Sequence, residues 1–280
     1  MVVWMMAAAV DFKVLEKIYF QWDEPVDYLI NDDVHLSIYP VMVKDSELFL
    51  ACYDVISIDK DNIPDPKIIS MPYLNFMADN LFKEQICIDK FVSLLRICLH
   101  WDNARITVDE NGFYYLENMD GSIRIDAKKF NEIRRIILYQ NIIGYDDEYI
   151  NPELKAAMAE SDALRNRGIE FPSMERKMAI ISSHTGITKK EQMEMTYRAH
   201  SLLFREVSGE VDFLASWPIF LYAGEANKHD HWIYKKAKGK LDGYITGVNE
   251  FAGKIGANPN AIKQTSRDNG LDNMFNNFNK

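Results

Sequence analysis

Residues 105–125 read RITVDENGFYYLENMDGSIRI and carry the clearest β pattern in the chain. Three short runs rich in β-branched and aromatic residues are separated by Asn111-Gly112 and by Asp120-Gly121. Asn-Gly and Asp-Gly tolerate the positive φ angles of tight hairpin turns, so the stretch predicts a small three-stranded antiparallel meander. Apolar residues then recur at helical spacing across residues 127–143, which predicts a helix that packs on the meander.

Helical patterns dominate the sequence on both sides of this meander. On its N-terminal side, residues 35–43 alternate like a strand that Pro40 ends or places at a sheet edge, and a helix is predicted to begin at Asp45. Two more helices are predicted near residues 72–83 and 89–100. The predicted fold class is therefore α+β and predominantly helical, with the meander in the N-terminal half and a helical C-terminal half.

Three helices are predicted in the C-terminal half. The first ends at Gly186, a residue type that favours the end of a helix. A capping box at Thr188 and Glu191 starts the second, which is expected to continue to about Ser208. The third covers residues 210–221 and is expected to kink or stop at Pro218.

A polar stretch between the two halves predicts a domain boundary. Asn151-Pro152 begins a charged, alanine-rich helix that has few large apolar residues, which is typical of a solvated connector. The residues beyond 255 are rich in Asn and poor in large apolar groups. The predicted organisation comprises an α+β domain at residues 1–145, a polar connector at 146–172, a helical domain at 173–255 and a flexible tail at 256–280.

The composition excludes several classes of protein. Lys and Arg total 32 against 42 Asp and Glu, and the net charge of −10 repels phosphate backbones, so a nucleic-acid partner is not expected. Three cysteines cannot form a complete disulfide framework, and their spacing matches no metal site. No apolar stretch approaches the roughly 20 residues that span a bilayer, so no membrane anchor is expected.

The sequence carries no catalytic signature. It lacks the glycine-rich phosphate-binding motifs and the Gly-x-Ser-x-Gly turn of serine hydrolases. His229 and His231 form the one clustered pair of metal-capable side chains, but two ligands do not make a zinc site. We therefore predict a non-enzymatic protein without catalytic residues, a cofactor or a bound metal.

The segment Lys228–Lys240 alternates lysines with aromatic residues. It is compatible with single-stranded nucleic acid, with a solvated strand that carries lysines along its edge, or with an acidic protein surface. Methionine-bearing helices between residues 174 and 208 offer a second contact surface, although methionine equally fills helical cores. The predicted partner-binding residues are Trp232, Tyr234, Lys235, Lys236, Lys238, Met193 and Tyr197.

Three stretches of the sequence resemble proteins from the tail-assembly gene clusters of bacteriophages. They are residues 38–41 (IYPV) with Lys44-Asp45, residues 63–71 (IPDPKIISM), and residues 184–198, which begin His-Thr-Gly-Ile and end Met-Thr-Tyr-Arg. The third is similar to a helical unit of tail assembly chaperones and of related tail or baseplate proteins. The resemblance implies either a chaperone that escorts the tape-measure protein or a tail or baseplate component retained in the virion. It also implies no enzyme activity, other phage tail proteins as partners, and a location in the host cell cytoplasm or in the virion tail.

Overall fold

A computed structural model describes residues 10–31, 33–148, 150–225, 229 and 231–234. The chain divides into two compact units. The first comprises Met1–Tyr149 and Glu170–Ala226, and the second comprises Ile150–Ile169 and Asn227–Lys280.

Short helices make up most of the first unit. Turns of 3-10 helix at Phe20–Trp22, Val43–Asp45 and Lys60–Asn62, and a π-helical turn at Met77–Leu81, connect several of them. In chain order the α-helices are α1 (Phe12–Ile18), α2 (Ser46–Cys52), α3 (Asp54–Ser57), α4 (Pro66–Ser70), α5 (Tyr73–Phe76), α6 (Gln85–Leu99), α7 (Ala127–Asn141), α8 (Pro152–Arg165), α9 (Met174–Thr185), α10 (Lys189–Met193) and α11 (Tyr197–Tyr222). Of these, α8 belongs to the second unit.

Two small antiparallel sheets complete the first unit. One pairs β1 (Val26–Asn31) with β2 (Val34–Ile38), and the other orders β3 (Ala104–Val108), β4 (Tyr114–Asn118) and β5 (Arg124–Asp126). Gly112 and Gly121 have φ angles of 83° and 72° in the two turns of the second sheet. The predicted meander and the mostly helical α+β class are therefore confirmed. The strand β1 was not predicted from the sequence.

The core of the first unit is one cluster that draws buried residues from both sheets and from helices including α6 and α7. Leu116 on β4 and Ile125 on β5 are buried together with Phe130 on α7 and Phe91 on α6. The two phenylalanine rings meet edge to face, with 5.9 Å between their centroids. Asp126 starts α7 by accepting a hydrogen bond from a first-turn amide, so the end of the meander also fixes the helix against it.

An extended segment around Val41 joins the N-terminal and C-terminal parts of the first unit. The amide of Val41 donates to the buried side-chain oxygen of Asn141 on α7, at 2.8 Å. On the other side, the Tyr197 amide donates to the Val41 carbonyl at 2.7 Å, and the Val43 amide donates to the Met195 carbonyl at 2.9 Å. These bonds form an isolated antiparallel bridge at the start of α11.

This bridge gives an organisation that differs from the predicted one. The sequence was expected to form a separate helical domain at residues 173–255, whereas Glu170–Ala226 pack with Met1–Tyr149. The boundary was placed by the polarity of residues 146–172, and α8 inside that stretch contains no buried residue. Polarity correctly indicates a solvated helix, but main-chain hydrogen bonds can join the segments on either side of it whatever their side chains are.

The same bridge interrupts the helix predicted from Lys189 to about Ser208. The predicted capping box starts α10, but the Met195 carbonyl and the Tyr197 amide turn to the segment around Val41. Thr196 then starts α11, because its hydroxyl accepts a hydrogen bond from the Ala199 amide. Beyond this start, α11 continues without a break through Pro218, where the sequence predicted a separate, shorter helix.

Candidate functional site

A buried polar cluster fixes the direction of α11. Gln192 on α10 is wholly buried, and its Nε2 lies 3.0 Å from the Met178 carbonyl, 2.9 Å from Ser182 Oγ and 3.1 Å from the Ile187 carbonyl. Its Oε1 lies 3.1 Å from Nε2 of His200 on α11. One glutamine side chain thereby connects α9, α10 and α11.

The hydrogen bonds of Gln192 also define the state of His200. Because the amide nitrogen faces three acceptors, the amide oxygen must accept, and the His200 ring donates from Nε2. Its Nδ1 is buried and has no hydrogen-bond partner among the described atoms. Burial, and secondarily the charge of Lys177, lower the pKa of His200. The ring is therefore a neutral link between helices.

Beyond His200, α11 continues for about six more turns, to Tyr222. The helix has 26 residues and is about 39 Å long at about 1.5 Å per residue, yet its buried residues are His200 and Val207. We call residues 208–222 the distal half of α11. No residue in it is buried, and the exposed fractions reach 61% for Leu214 and 95% for Tyr222.

The apolar residues on one face of α11 alternate in steps of three and four. This is the spacing of side chains that pack against a second helix. We call this face the α11 seam, and it comprises Phe204, Val207, Val211, Leu214, Pro218 and Leu221.

The α11 seam is covered at its beginning and uncovered beyond it. Val207 is buried, and Nζ of Lys177 on α9 lies 5.7 Å from the centre of the Phe204 ring. Val211, Leu214 and Leu221 are all exposed. The surface that packs on α9 therefore continues into the distal half without a described helix against it.

The sequence around the exposed part of the α11 seam is acidic, and Glu210 adjoins the seam beside Val211. Residues 206–227 include four acidic side chains and neither Lys nor Arg. Glu210 and Asp212 lie on the exposed surface of the distal half, and in the described part of the chain neither forms an ion pair. An exposed apolar stripe is suited to contact with another protein.

Met193 and Tyr197, two of the predicted contact residues, have different environments. Met193 ends α10 with 36% of its surface exposed. Tyr197 packs against the hydrophobic core of the first unit, and its amide holds the Val41 carbonyl. Met193 is accessible for contact with a partner, whereas Tyr197 bonds the start of α11 to the segment around Val41.

The other predicted contact residues belong to the second unit. The Trp232 ring is half-buried and stacks on His231, with 4.3 Å between the ring centroids. Tyr234 is 78% exposed. The remaining predicted residues, Lys235, Lys236 and Lys238, lie outside the described residues. Binding by this segment stays a prediction.

A cleft of about 380 Å³ lies beside the segment around Val41. Within it, the His100 ring stacks on Tyr39 at 3.8 Å, and Asp23 accepts a hydrogen bond from the Thr196 hydroxyl. These contacts hold the cleft walls to each other and to the start of α11. The lining residues are Asp23, Pro25, Tyr39, Pro40, Met42, Lys44, Asp45, Ile97 and His100.

The described residues were also compared with the requirements of a metal site and of a membrane span, and they meet neither. Among them, no group of three or more His, Cys, Asp or Glu side chains is arranged to hold a metal ion. In the same residues no helix combines the length and the apolar character needed to cross a membrane. Comparisons of the chain with protein-family models, with curated proteins and with solved structures find no match.

The α11 seam was not among the residues predicted from the sequence. The signal was present in the alternating spacing of three and four, and in the absence of Lys and Arg between residues 206 and 227. Neither pattern distinguishes a covered helix face from an exposed one, and the exposure is what makes this seam a candidate site.

Proposed function

We propose that this chain is a non-enzymatic factor of bacteriophage tail morphogenesis that acts by protein–protein contact. Its role is that of a tail assembly chaperone for the tape-measure protein, working in the host cell cytoplasm with other tail proteins as partners. The resemblance of residues 38–45, 63–71 and 184–198 to tail-cluster proteins supports this assignment.

The exposed α11 seam is the observation that carries the mode of action. Large contiguous apolar patches are uncommon on free proteins and mark interaction surfaces. Here the patch has the spacing of a helix-pairing face, and a tape-measure protein is long and helical. A chaperone of such a protein requires a surface that is exposed before its client arrives and covered afterwards.

The same observation supports a second candidate, a tail or baseplate component retained in the virion. An apolar helix face is costly to leave in water, at about 25 cal/mol per Å² of apolar surface. Permanent assembly into a tail would remove that cost for the life of the particle. The two candidates differ in whether the chain leaves its partner.

Quantitative mass spectrometry of the phage that encodes this chain separates the two candidates. A chaperone is expected in complexes with the tape-measure protein in infected cells and depleted from purified particles. A component is expected in particles at a fixed ratio to a structural tail protein. Absence from both the particles and every tail-protein complex contradicts the proposal.

The segment Lys228–Lys240 is tested by measuring the kinetics of binding to purified tail proteins. Changing Lys235, Lys236 and Lys238 to Glu is expected to slow association with tail proteins, because complementary charges on two partners speed their encounter. A control that reverses the exposed lysines Lys13, Lys67 and Lys83 alters the net charge equally at other places. If both triple variants bind alike, the segment has no specific part in the contact.

A further inference from the structure

The second sheet has a regular edge strand with one unpaired side. β3 pairs with β4 along its whole length, and no described strand pairs with its other side. An unpaired edge presents main-chain donors and acceptors that suit a further strand. We propose that β3 pairs antiparallel with β3 of a second copy of this chain, about a two-fold axis at Ile106. This inference goes beyond the proposed function and does not depend on it.

The main-chain groups on the unpaired side of β3 follow from the hairpin that joins it to β4. The Asp109 amide donates to the Phe113 carbonyl at 3.0 Å, and this pair continues the register between the two strands. Along an antiparallel strand, successive residues direct their main-chain groups alternately to one side and to the other. The residues of β3 that face away from β4 are therefore Ala104, Ile106 and Val108. No other described element donates a main-chain hydrogen bond to them or accepts one from them.

Pairing about Ile106 uses every one of these outward-facing residues. Ile106 meets its own copy, and Ala104 meets Val108 in both halves of the ladder. Each such pair exchanges two main-chain hydrogen bonds. An axis at Arg105 would instead place that cation directly opposite its copy, which is unfavourable. An axis at Thr107 would bring Ala104 opposite the turn that follows β3 and leave it unpaired.

The apolar face of the sheet supplies a second match. Ile125, Leu116 and Ile106 lie side by side across the three strands. Leu116 and Ile125 are buried in the core cluster, and Ile106 packs against that cluster from the edge. A second copy continues this row through its own Ile106 and brings Ala104 beside Val108, which is 54% exposed. The three strands then become a six-stranded sheet, which is a common size.

The opposite face of the sheet presents no charge conflict. In this pairing Arg105 lies opposite the neutral Thr107 of the second copy. A cation on an edge strand commonly prevents such pairing, but Arg105 Nε lies 3.0 Å from Oε2 of Glu117 and is held over its own sheet. β3 also has neither a proline nor a bulge, whereas the first sheet has a register shift between Leu29 and Asn31. The β3 edge therefore lacks the features that hinder edge-to-edge contact.

Cysteine pairs test the register in the full-length chain. In the proposed pairing, position 105 of one copy faces position 107 of the other without hydrogen bonds between them, with Cα atoms about 4.5 Å apart, which suits a disulfide. The double variant Arg105→Cys with Thr107→Cys is therefore expected to form a covalent dimer when oxidised glutathione is added. The parent and each single variant are expected to stay monomeric on a non-reducing gel. Cross-linking of either single variant would place the axis elsewhere and overturn the pairing.

Two variants at Val108 test the main-chain ladder by sedimentation velocity. The parent is expected to dimerise as its concentration rises. Val108→Pro removes an N–H that faces away from β4, so β3 is expected to form while pairing with a second copy is lost. Val108→Thr keeps this N–H and the β-branched shape, and it is the matched control that should dimerise as the parent does. Circular dichroism verifies that both variants are folded.

A charge at position 107 tests the contact with Arg105 of the second copy. Thr107→Glu is expected to tighten self-association about tenfold, and Thr107→Lys to weaken it by a similar factor, because each dimer contains two such pairs. Equal dissociation constants for the two variants would contradict the proposed register.

The state of the parent decides the proposal as a whole. It is overturned if the parent sediments as a monomer at every concentration measured. It is also overturned if Val108→Pro dimerises as the parent does, since another surface would then join the copies. These outcomes leave the tail assignment untouched, because that assignment is tested by the composition of phage particles and of tail-protein complexes.

Discussion

Replacing Gln192 by methionine is expected to loosen the attachment of α11 to the rest of the first unit. Methionine has nearly the length of glutamine and fills the same buried space without hydrogen-bonding groups. The change removes the bond accepted from His200 and the bonds donated towards Met178, Ser182 and Ile187. It therefore tests whether this polar cluster or the apolar contacts around it hold the three helices together.

The magnitude follows from the number of bonds lost. An amide nitrogen has two hydrogens, so Gln192 donates at most two good bonds at once and accepts one. Two donated bonds at about 1 kcal/mol each, and about 1–3 kcal/mol for the buried His200 N–H left without an acceptor, sum to a loss of about 3–5 kcal/mol. The Ser182 hydroxyl still donates to the Ile187 carbonyl, which limits the loss on that side.

Urea denaturation followed by circular dichroism at pH 7.5 measures this loss. Gln85→Met is the matched control, because Gln85 is exposed and bonds only Asp89 in the same helix, and it is expected to change stability by less than about 0.5 kcal/mol. Combining Gln192→Met with His200→Leu removes the unpaired ring and is expected to cost less than the sum of the single changes. If Gln192→Met and Gln85→Met unfold at the same urea concentration, the cluster does not hold α11.

Three further predictions concern pH, a helix end and the connector. The pKa of His200 is lowered in the folded chain, so as the pH falls the unfolded chain takes up a proton before the folded chain does. The free energy of unfolding is therefore expected to decrease below about pH 6.5, by at most about 1.4 kcal/mol per pH unit. Urea midpoints measured across this pH range test the prediction, and His200→Leu should make them less dependent on pH. Gly186 ends α9 at a φ of 77° with open space around it, so Gly186→Ala is expected to cost about 1 kcal/mol through backbone strain alone, read as a lower Tm. Limited proteolysis is expected to cut within residues 146–172 before it cuts α7, because α8 has no buried residue and α7 has several. Cleavage inside α7 before any cleavage in residues 146–172 would contradict this expectation.

The parts of the fold that could be predicted are those that local sequence specifies. Asn111-Gly112 and Asp120-Gly121 determine their turns by their own conformational preferences, and Asp126 caps the helix that follows. The helix starts at Thr188 and Asn151 are likewise determined by the side chain at the cap. In each case the residues that form the feature are neighbours in the sequence.

The contacts that could not be predicted join distant segments through the main chain. The bonds of Val41 and Val43 with residues near Thr196 involve main-chain amides and carbonyls, which every residue type except proline provides. No pattern of side chains predicts these main-chain hydrogen bonds. They determine both the domain organisation and the break between α10 and α11. The α11 seam could not be predicted for a different reason. Apolar residues at helical spacing give the same sequence pattern whether or not another element covers them.

The bridge between Met42 and Thr196 also sets an order of events during synthesis. Asp23 and Thr196, which are hydrogen-bonded beside this bridge, are 173 positions apart in the chain. At about 5–20 residues per second, the ribosome needs roughly 9 to 35 seconds to make the second residue after the first. During that interval the meander and α7 can form, whereas the main-chain groups of residues 41 and 43 that face α11 have only water as a partner. A gene fragment that stops in the connector would leave them in that condition permanently, so expressing residues 1–149 alone yields an unfinished fold and not a domain.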